Sequence, residues 1–150
     1  MPIHPSRINR NVRGSFNTYL KNTFPTITFN FGESEFDTAN LRRWVQVDYL
    51  SRTLNVKPLL IVQLTFFAKD DRYGAKVEEI CDQVMDQLYG ATGSNDLKSI
   101  PVKDYFETLG DVPVQIGSVW VNPRQANKPV LDRYGVTSIA VTIELRQSRK

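Results

Sequence analysis

Leu59-Leu60-Ile61-Val62-Gln63-Leu64-Thr65-Phe66-Phe67 is an almost unbroken apolar run, and it leads into Ala68-Lys69-Asp70-Asp71-Arg72-Tyr73-Gly74. A short run so rich in branched and aromatic residues predicts the most buried strand of the chain. Beyond it, Val77, Ile80, Cys81, Val84, Met85 and Leu88 recur at steps of three and four, which gathers them on one helical stripe. Glu78, Glu79, Asp82, Asp86 and Gln87 take the other side. The expectation is a helix near residues 72–89 laid over a sheet that contains residues 59–67.

Upstream, Ile8, Val12, Phe16, Tyr19 and Leu20 make a second stripe, with Ser6 where an N-cap would stand and Phe24-Pro25 as a stop. This predicts a helix of three to four turns, weakened by Gly14, with Arg7, Arg10, Arg13 and Asn17 on its other faces. Thr26 to Phe31 alternates and reads as a strand closed by Gly32; Glu33 to Asn40 reads as a polar loop. Arg43 to Leu50 alternates again, with Val45, Val47 and Tyr49 on one face and Trp44, Gln46, Asp48 and Leu50 on a half-exposed one. Thr53 to Lys57 is a short connection.

Downstream, Gly90 to Asp96 has the composition of a loop. Val112 to Val121 predicts a strand interrupted at Gly117, and Val136 to Leu145 a last strand with Ile139, Val141, Ile143 and Leu145 on one face. Asn122 to Pro129, apolar only at Ala126, predicts a protruding loop that either packs on the surface or reaches a partner. The fold class is therefore α+β: a mostly antiparallel sheet with one long helix packed on it and an additional N-terminal helix. At 150 residues the chain has the length of one domain, able to bury roughly two thirds of its unfolded surface.

Charge is unevenly placed. Residues 1–32 carry +4 with no acid and residues 146–150 carry +3, so a chain of net charge +3 leaves −4 for its middle. The cations are not interleaved with aromatics, which favours a solvated face or a protein contact over a nucleic-acid surface. The opening Met1 to Arg7 lacks the apolar segment of a secretory signal, and no run is long enough to span a bilayer, so the expected compartment is the cytoplasm of the producing cell.

Chemistry-bearing residues are sparse. His4 is the single histidine, three residues from the amino terminus, and Cys81 the single cysteine, which leaves no Ser-His or Cys-His pair worth orienting and excludes an internal disulfide and a multi-thiolate or histidine-rich metal site. Glu78, Asp82 and Asp86 share a helical face and could hold magnesium or act as an acid–base pair, but a charged outer face is the ordinary companion of a buried stripe. Gly90-Ala91-Thr92-Gly93-Ser94 follows a helix and lacks a Lys-Ser or Lys-Thr, unlike a phosphate loop. Asp-Arg-Tyr-Gly occurs at 71–74 and again at 132–135, before a helix and before a strand; four residues in unmatched surroundings do not constitute a repeat. No enzymatic activity, cofactor or metal is expected.

The succession of an N-terminal helix, Trp44-Val45-Gln46-Val47, Ile61 to Phe67, Asp71-Arg72-Tyr73-Gly74, Ile80-Cys81-Asp82-Gln83-Val84 and the alternating Tyr134 to Arg146 resembles the tail terminator proteins of long-tailed bacteriophages. The resemblance runs from about residue 5 to residue 146 and rests on pattern and order. It implies a ring, usually a hexamer, that caps the head-proximal end of the tail tube, stops its polymerisation and joins the capsid neck. The implied partners are further copies of the chain, the tail tube protein and a neck or connector protein. DNA would pass through the ring without specific binding, no membrane is involved, and the site of action is the virion, reached from the host cytoplasm.

The N-terminal helix and the 33–40 and 122–129 loops differ from the family's pattern, so contact residues come from charge and loop character alone. They are Arg7, Arg10, Arg13, Asn122, Arg124, Gln125, Asn127, Lys128, Arg146, Arg149 and Lys150. Head-to-tail contacts between two different patches build rings, and basic ends against an acidic middle offer such patches. A neighbouring neck or head-closure protein is the nearest alternative; a basic nucleic-acid-binding module and a small metal-dependent hydrolase are more distant ones.

Overall fold

The computed structural model describes residues 5–32, 36–52, 59–89, 99–109 and 112–149. In chain order these form α1 (Pro5–Thr23), β1 (Phe29–Asn30), β2 (Arg43–Arg52), β3 (Leu59–Lys69), α2 (Ala75–Tyr89), β4 (Ser99–Leu109), β5 (Val112–Ala126), β6 (Val130–Leu131) and β7 (Val136–Arg149). The fold is α+β. One mixed sheet runs β1-β2-β3-β7-β5-β4, with β6 paired to β7 beside it. β1 lies parallel to β2, and the remaining neighbours pair antiparallel.

The sheet centre is the β3–β7 pair, in unbroken register from Leu59↔Arg146 to Lys69↔Val136. Period-two alternation sends Val45 and Val47 of β2, Val62, Leu64 and Phe66 of β3 and Ile139, Val141, Ile143 and Leu145 of β7 into one core. Both helices lie on that side. Val77, Ile80, Cys81, Val84, Met85 and Leu88 of α2 are all buried there, as are Val12, Phe16 and Leu20 of α1. Each such side chain gains about 1.5–3 kcal/mol from burial if it is Val, Leu, Ile, Phe or Met.

The sheet is covered on one side. Ile61, Gln63, Thr65 and Phe67 are only half-buried, because no element of the described residues lies on their face of the sheet. Trp44, expected on the half-exposed face of β2, is buried by stacking on its register partner Phe67, ring centroids 5.1 Å apart.

α1 has 19 residues against 15 for α2, and so is the longer helix. It starts at Pro5, a residue whose fixed φ suits a first helical position, and Ser6 therefore lies inside the first turn instead of before it. Asn11 and Ser15 of α1 are buried as well. They serve β4, an element the sequence did not announce. Asn11 Nδ2 donates to Asp104 Oδ1 at 3.2 Å and the Lys103 amide donates to Ser15 Oγ at 2.9 Å, so helical side chains satisfy polar groups of the edge strand.

α1 also reaches β2. The Tyr49 hydroxyl donates to Asn17 Oδ1 at 2.6 Å, although three strands separate β2 from β4 in the sheet. In a flat sheet those strands would stand roughly 19 Å apart, about twice the width of a helix. The sheet therefore curls around α1.

Other boundaries shift. The first strand shrinks to Phe29–Asn30, since Ile27 N donates back to Phe24 O and the Asn30 side chain accepts from Gly32 N in an Asx turn. β5 continues through Ala126 with a register break between Pro123 and Gln125, where proline's missing N–H is tolerated at a bulge. The 122–129 loop thus contracts to 127–129. β7 extends to Arg149, so the basic C-terminal residues 146–149 belong to a strand. His4 and the 90–96 loop lie outside the described residues.

Candidate interface surfaces

The expected contact cations fall on three separate surfaces. Arg10 and Arg13 are exposed on α1, with the Arg13 guanidinium 6.0 Å from the Tyr49 ring centroid. Tyr49 itself is held well above the ordinary phenol range, by burial first and against the opposing pull of Arg13. Asn127 and Lys128 are exposed in the short link after β5. Arg146 is exposed on β7, where its Nε and Nη2 both donate to Glu144 Oε2, at 3.1 and 2.9 Å. Arg7, Arg124, Gln125 and Arg149 are placed by backbone alone, in α1, β5 and β7, and Lys150 lies outside the described residues. The structure does not bring Arg10 and Arg13 into one patch with Arg146: α1 is on the core side of the sheet and Arg146 points from the other.

That other side is a continuous, mostly polar sheet face. Gln46 and Asp48 of β2 stand opposite Thr65 and Gln63 of β3, which stand opposite Ala140 and Thr142 of β7; Asn122 of β5 stands opposite Glu144. Its side chains bond along their own strands, Gln46 Nε2 to Asp48 at 3.0 Å and Gln63 Nε2 to Thr65 Oγ1 at 3.1 Å. Trp120, opposite Arg146, adds a partly exposed indole.

The two Asp-Arg-Tyr-Gly segments build the same turn. In each, the glycine amide donates to the aspartate carbonyl, Gly74 to Asp71 at 3.0 Å and Gly135 to Asp132 at 3.3 Å. Each glycine is left-handed, φ 79° and 80°, a conformation that a Cβ disfavours. Each aspartate carboxylate then collects downstream amides: Asp71 those of Lys76 and Val77, which caps α2, and Asp132 those of Tyr134 and Val136, which closes the β6–β7 hairpin. The side chain at the second position lies over the third, with Arg72 Cζ 5.8 Å from the Tyr73 ring and Arg133 Cζ 4.9 Å from the Tyr134 ring.

The turns are also neighbours. The Thr137 hydroxyl donates to Asp71 O at 2.6 Å, Thr137 pairs with Leu131 across the hairpin, and Pro129 packs against Gly74. Sequence reasoning dismissed this repeat; the shared tetrapeptide itself was the available signal, since Asp and Gly at those spacings encode a turn whatever follows.

Two shallow polar pockets flank the start of β2. One of about 450 Å³ is lined by Arg42, Arg43, Lys69 and Lys76 together with Glu79. Its cations are partly engaged: Arg42 pairs with Asp70 at 2.8 Å, and Lys69 donates to the Thr38 and Ala39 carbonyls. The other, of about 350 Å³, is lined by Thr26 to Thr28, Asn40 to Arg43, Ile80 and Gln83. Glu78, Glu79, Asp82 and Asp86 form the exposed acidic face of α2. Behind it the Cys81 thiol is pushed up to about 11, by burial first and then by Asp82, Glu78 and Asp86, which makes it a poor nucleophile. Among the described residues no three His, Cys, Asp or Glu are grouped to hold a metal, and no helix is long and apolar enough to cross a membrane.

No protein-family model matches the chain, and no curated protein sequence matches it. Solved structures do. One with 11% identical residues superposes with a TM-score of 0.53 over 95% of this chain and 96% of that one. At that identity the likeness is one of fold.

Proposed function

We propose that this protein is a structural component of a long-tailed phage virion: a tail terminator that caps the head-proximal end of the tail tube as a ring, hexameric by analogy, and joins it to the neck. The observation that carries the reading is the resemblance in element order along residues 5–146. It is supported by the way the resembling segments assemble. Trp44 to Val47, Ile61 to Phe67 and the last alternating strand are consecutive strands of one sheet, and the helix of Ile80 to Val84 lies over them. In the finer form of the proposal, the antiparallel run β2-β3-β7-β5-β4 is the body of the sheet and β1 an annexe.

A capping role needs surfaces for a tube, a neck and sibling subunits, and requires no catalytic step or cofactor. The chain offers cations distributed over α1, the 127–129 link and β7, together with a polar sheet face. Exposed ion pairs contribute only about 0–1 kcal/mol each and weaken with salt, so apolar contacts must supply most of the affinity. The test is electron microscopy of tails assembled with and without the protein. Overlong or unjoined tails in its absence, and a six-fold ring at the head-proximal end on its return, are expected; uniform, joinable tails without it would exclude the role.

A second reading has one observation in its favour. The pocket of Arg42, Arg43, Lys69 and Lys76 gathers cations that could meet phosphates, as in a basic nucleic-acid-binding module. It predicts DNA retention that falls steeply as salt rises. Retention unchanged by Arg43→Glu with Lys76→Glu would remove it.

A further inference from the structure

The paired Asp-Arg-Tyr-Gly turns have a consequence for how copies of the chain meet. Of the seven large apolar or aromatic side chains exposed among the described residues, four lie at this one end: Tyr73 is 88% exposed, Tyr134 75%, Val130 54% and Leu131 50%. Their backbones are held rigidly, by the two glycine-terminated turns, by Asp71 on the start of α2, and by Asp132 across the hairpin. Arg72 and Arg133 lie against the two tyrosine rings and Lys128 stands two residues before Val130. The acids at this end are already engaged: Asp132 faces the amides of Tyr134 and Val136, Asp71 those of Lys76 and Val77, and Asp70 pairs with Arg42. Exposed apolar clusters rimmed by charge mark interaction sites, and tyrosine and arginine are the residues most often found at their energetic centres.

The same chain carries the matching surface. Glu78, Glu79, Asp82 and Asp86 are exposed along α2, relieved only by Lys76 at its start. We infer that the twin-turn surface of one copy, Tyr73 and Tyr134 with Arg72, Arg133 and the Val130–Leu131 strand, docks on the acidic face of α2 of the next copy. The two surfaces are made of different residues, so the contact is head-to-tail and closes into a ring when the rotation between copies allows it. The inference rests on the ring reading above for its need that copies meet. It moves the contact away from the chain ends, where the charge distribution alone had placed it.

Sedimentation equilibrium of the full chain over a wide concentration range, at low and at high salt, tests it. The parent should self-associate, less so at high salt because the charged rim is screened. Tyr73→Ala with Tyr134→Ala should weaken association by about tenfold or more. Arg72→Glu with Arg133→Glu should do the same, and adding Glu79→Lys with Asp82→Lys should restore it, since attraction then runs the other way. The substituted side chains are exposed, so each variant should melt like the parent. A parent that stays monomeric at millimolar concentration, tyrosine variants that associate as tightly as the parent, or a charge swap that fails to restore association would each overturn the inference. A parent that associates as described while tails lacking the protein are normal would leave the contact standing and remove the terminator role. Tails that need the protein although the tyrosine variants still ring would do the reverse.

Discussion

Asn11 of α1 and Asp104 of β4, ninety-three positions apart in the chain, meet in the interior with Asn11 Nδ2 donating to Asp104 Oδ1 at 3.2 Å and both residues almost wholly buried. A carboxylate so placed must be answered by donors, because its desolvation is otherwise uncompensated. Asn11→Leu removes the amide donor and should cost about 1–3 kcal/mol in urea unfolding. Asp104→Asn keeps a hydrogen-bonding group at the position and should cost less than Asp104→Leu. Equal midpoints for Asn11→Leu and the parent would mean that α1 does not hold the β4 edge through this pair.

Val84 lies fully buried in the α2 stripe, against the sheet. Val84→Asp places a carboxylate there without a partner and should lower stability by about 3 kcal/mol or more, read as a fall in melting temperature. A variant that melted with the parent would show that α2 is not packed as described.

Gly74 and Gly135 share a backbone conformation and differ in surroundings. A Cβ at Gly74 would stand 2.8 Å from the Pro129 Cβ, whereas one at Gly135 meets nothing within 4 Å. Gly135→Ala should therefore cost only the left-handed penalty, about 1–2 kcal/mol. Gly74→Ala carries that penalty and the clash with the proline ring, and should be clearly the more destabilising of the two. Matched losses in parallel denaturation curves would contradict the close packing of the 71–74 turn on Pro129.

The Cys81 thiol titrates near 11 in the folded chain against an ordinary value of 9.0, mainly because burial disfavours the thiolate. The native state therefore holds the proton more tightly than the unfolded one. Its contribution to stability is complete below pH 9, declines as the pH rises toward 11, and is gone above that. Alkylation by iodoacetamide at pH 8 should be slow in the native protein and fast in denaturant. Native labelling at the denatured rate would place the thiol in solvent.

Much of the architecture was legible because it is carried by period. Val77 to Leu88 at helical spacing and Ile139 to Leu145 in strict alternation each name an element and its inward face, and all of those positions are buried. Local pattern could not say which faces would be covered. The run from Leu59 to Phe67 is apolar almost throughout, yet both helices settle on the side of Leu60, Val62, Leu64 and Phe66 and leave Ile61 and Phe67 half-exposed. β4 escaped notice because Pro101 and Asp104 break its apolar pattern, and both are tolerable only on an edge strand that α1 happens to serve with Asn11 and Ser15.

The sequence by itself determined the α+β class and the inward stripes, because helical period and strand alternation act over a few residues. Only the tertiary structure decided that the sheet curls around α1, that Arg10 and Arg13 lie on one side of it and Arg146 on the other, and that the two turns stand side by side at one end. Those relations join Asn11 to Asp104, Asn17 to Tyr49 and Asp71 to Thr137. Contacts across such distances are selected by how whole elements pack, and no local pattern records them.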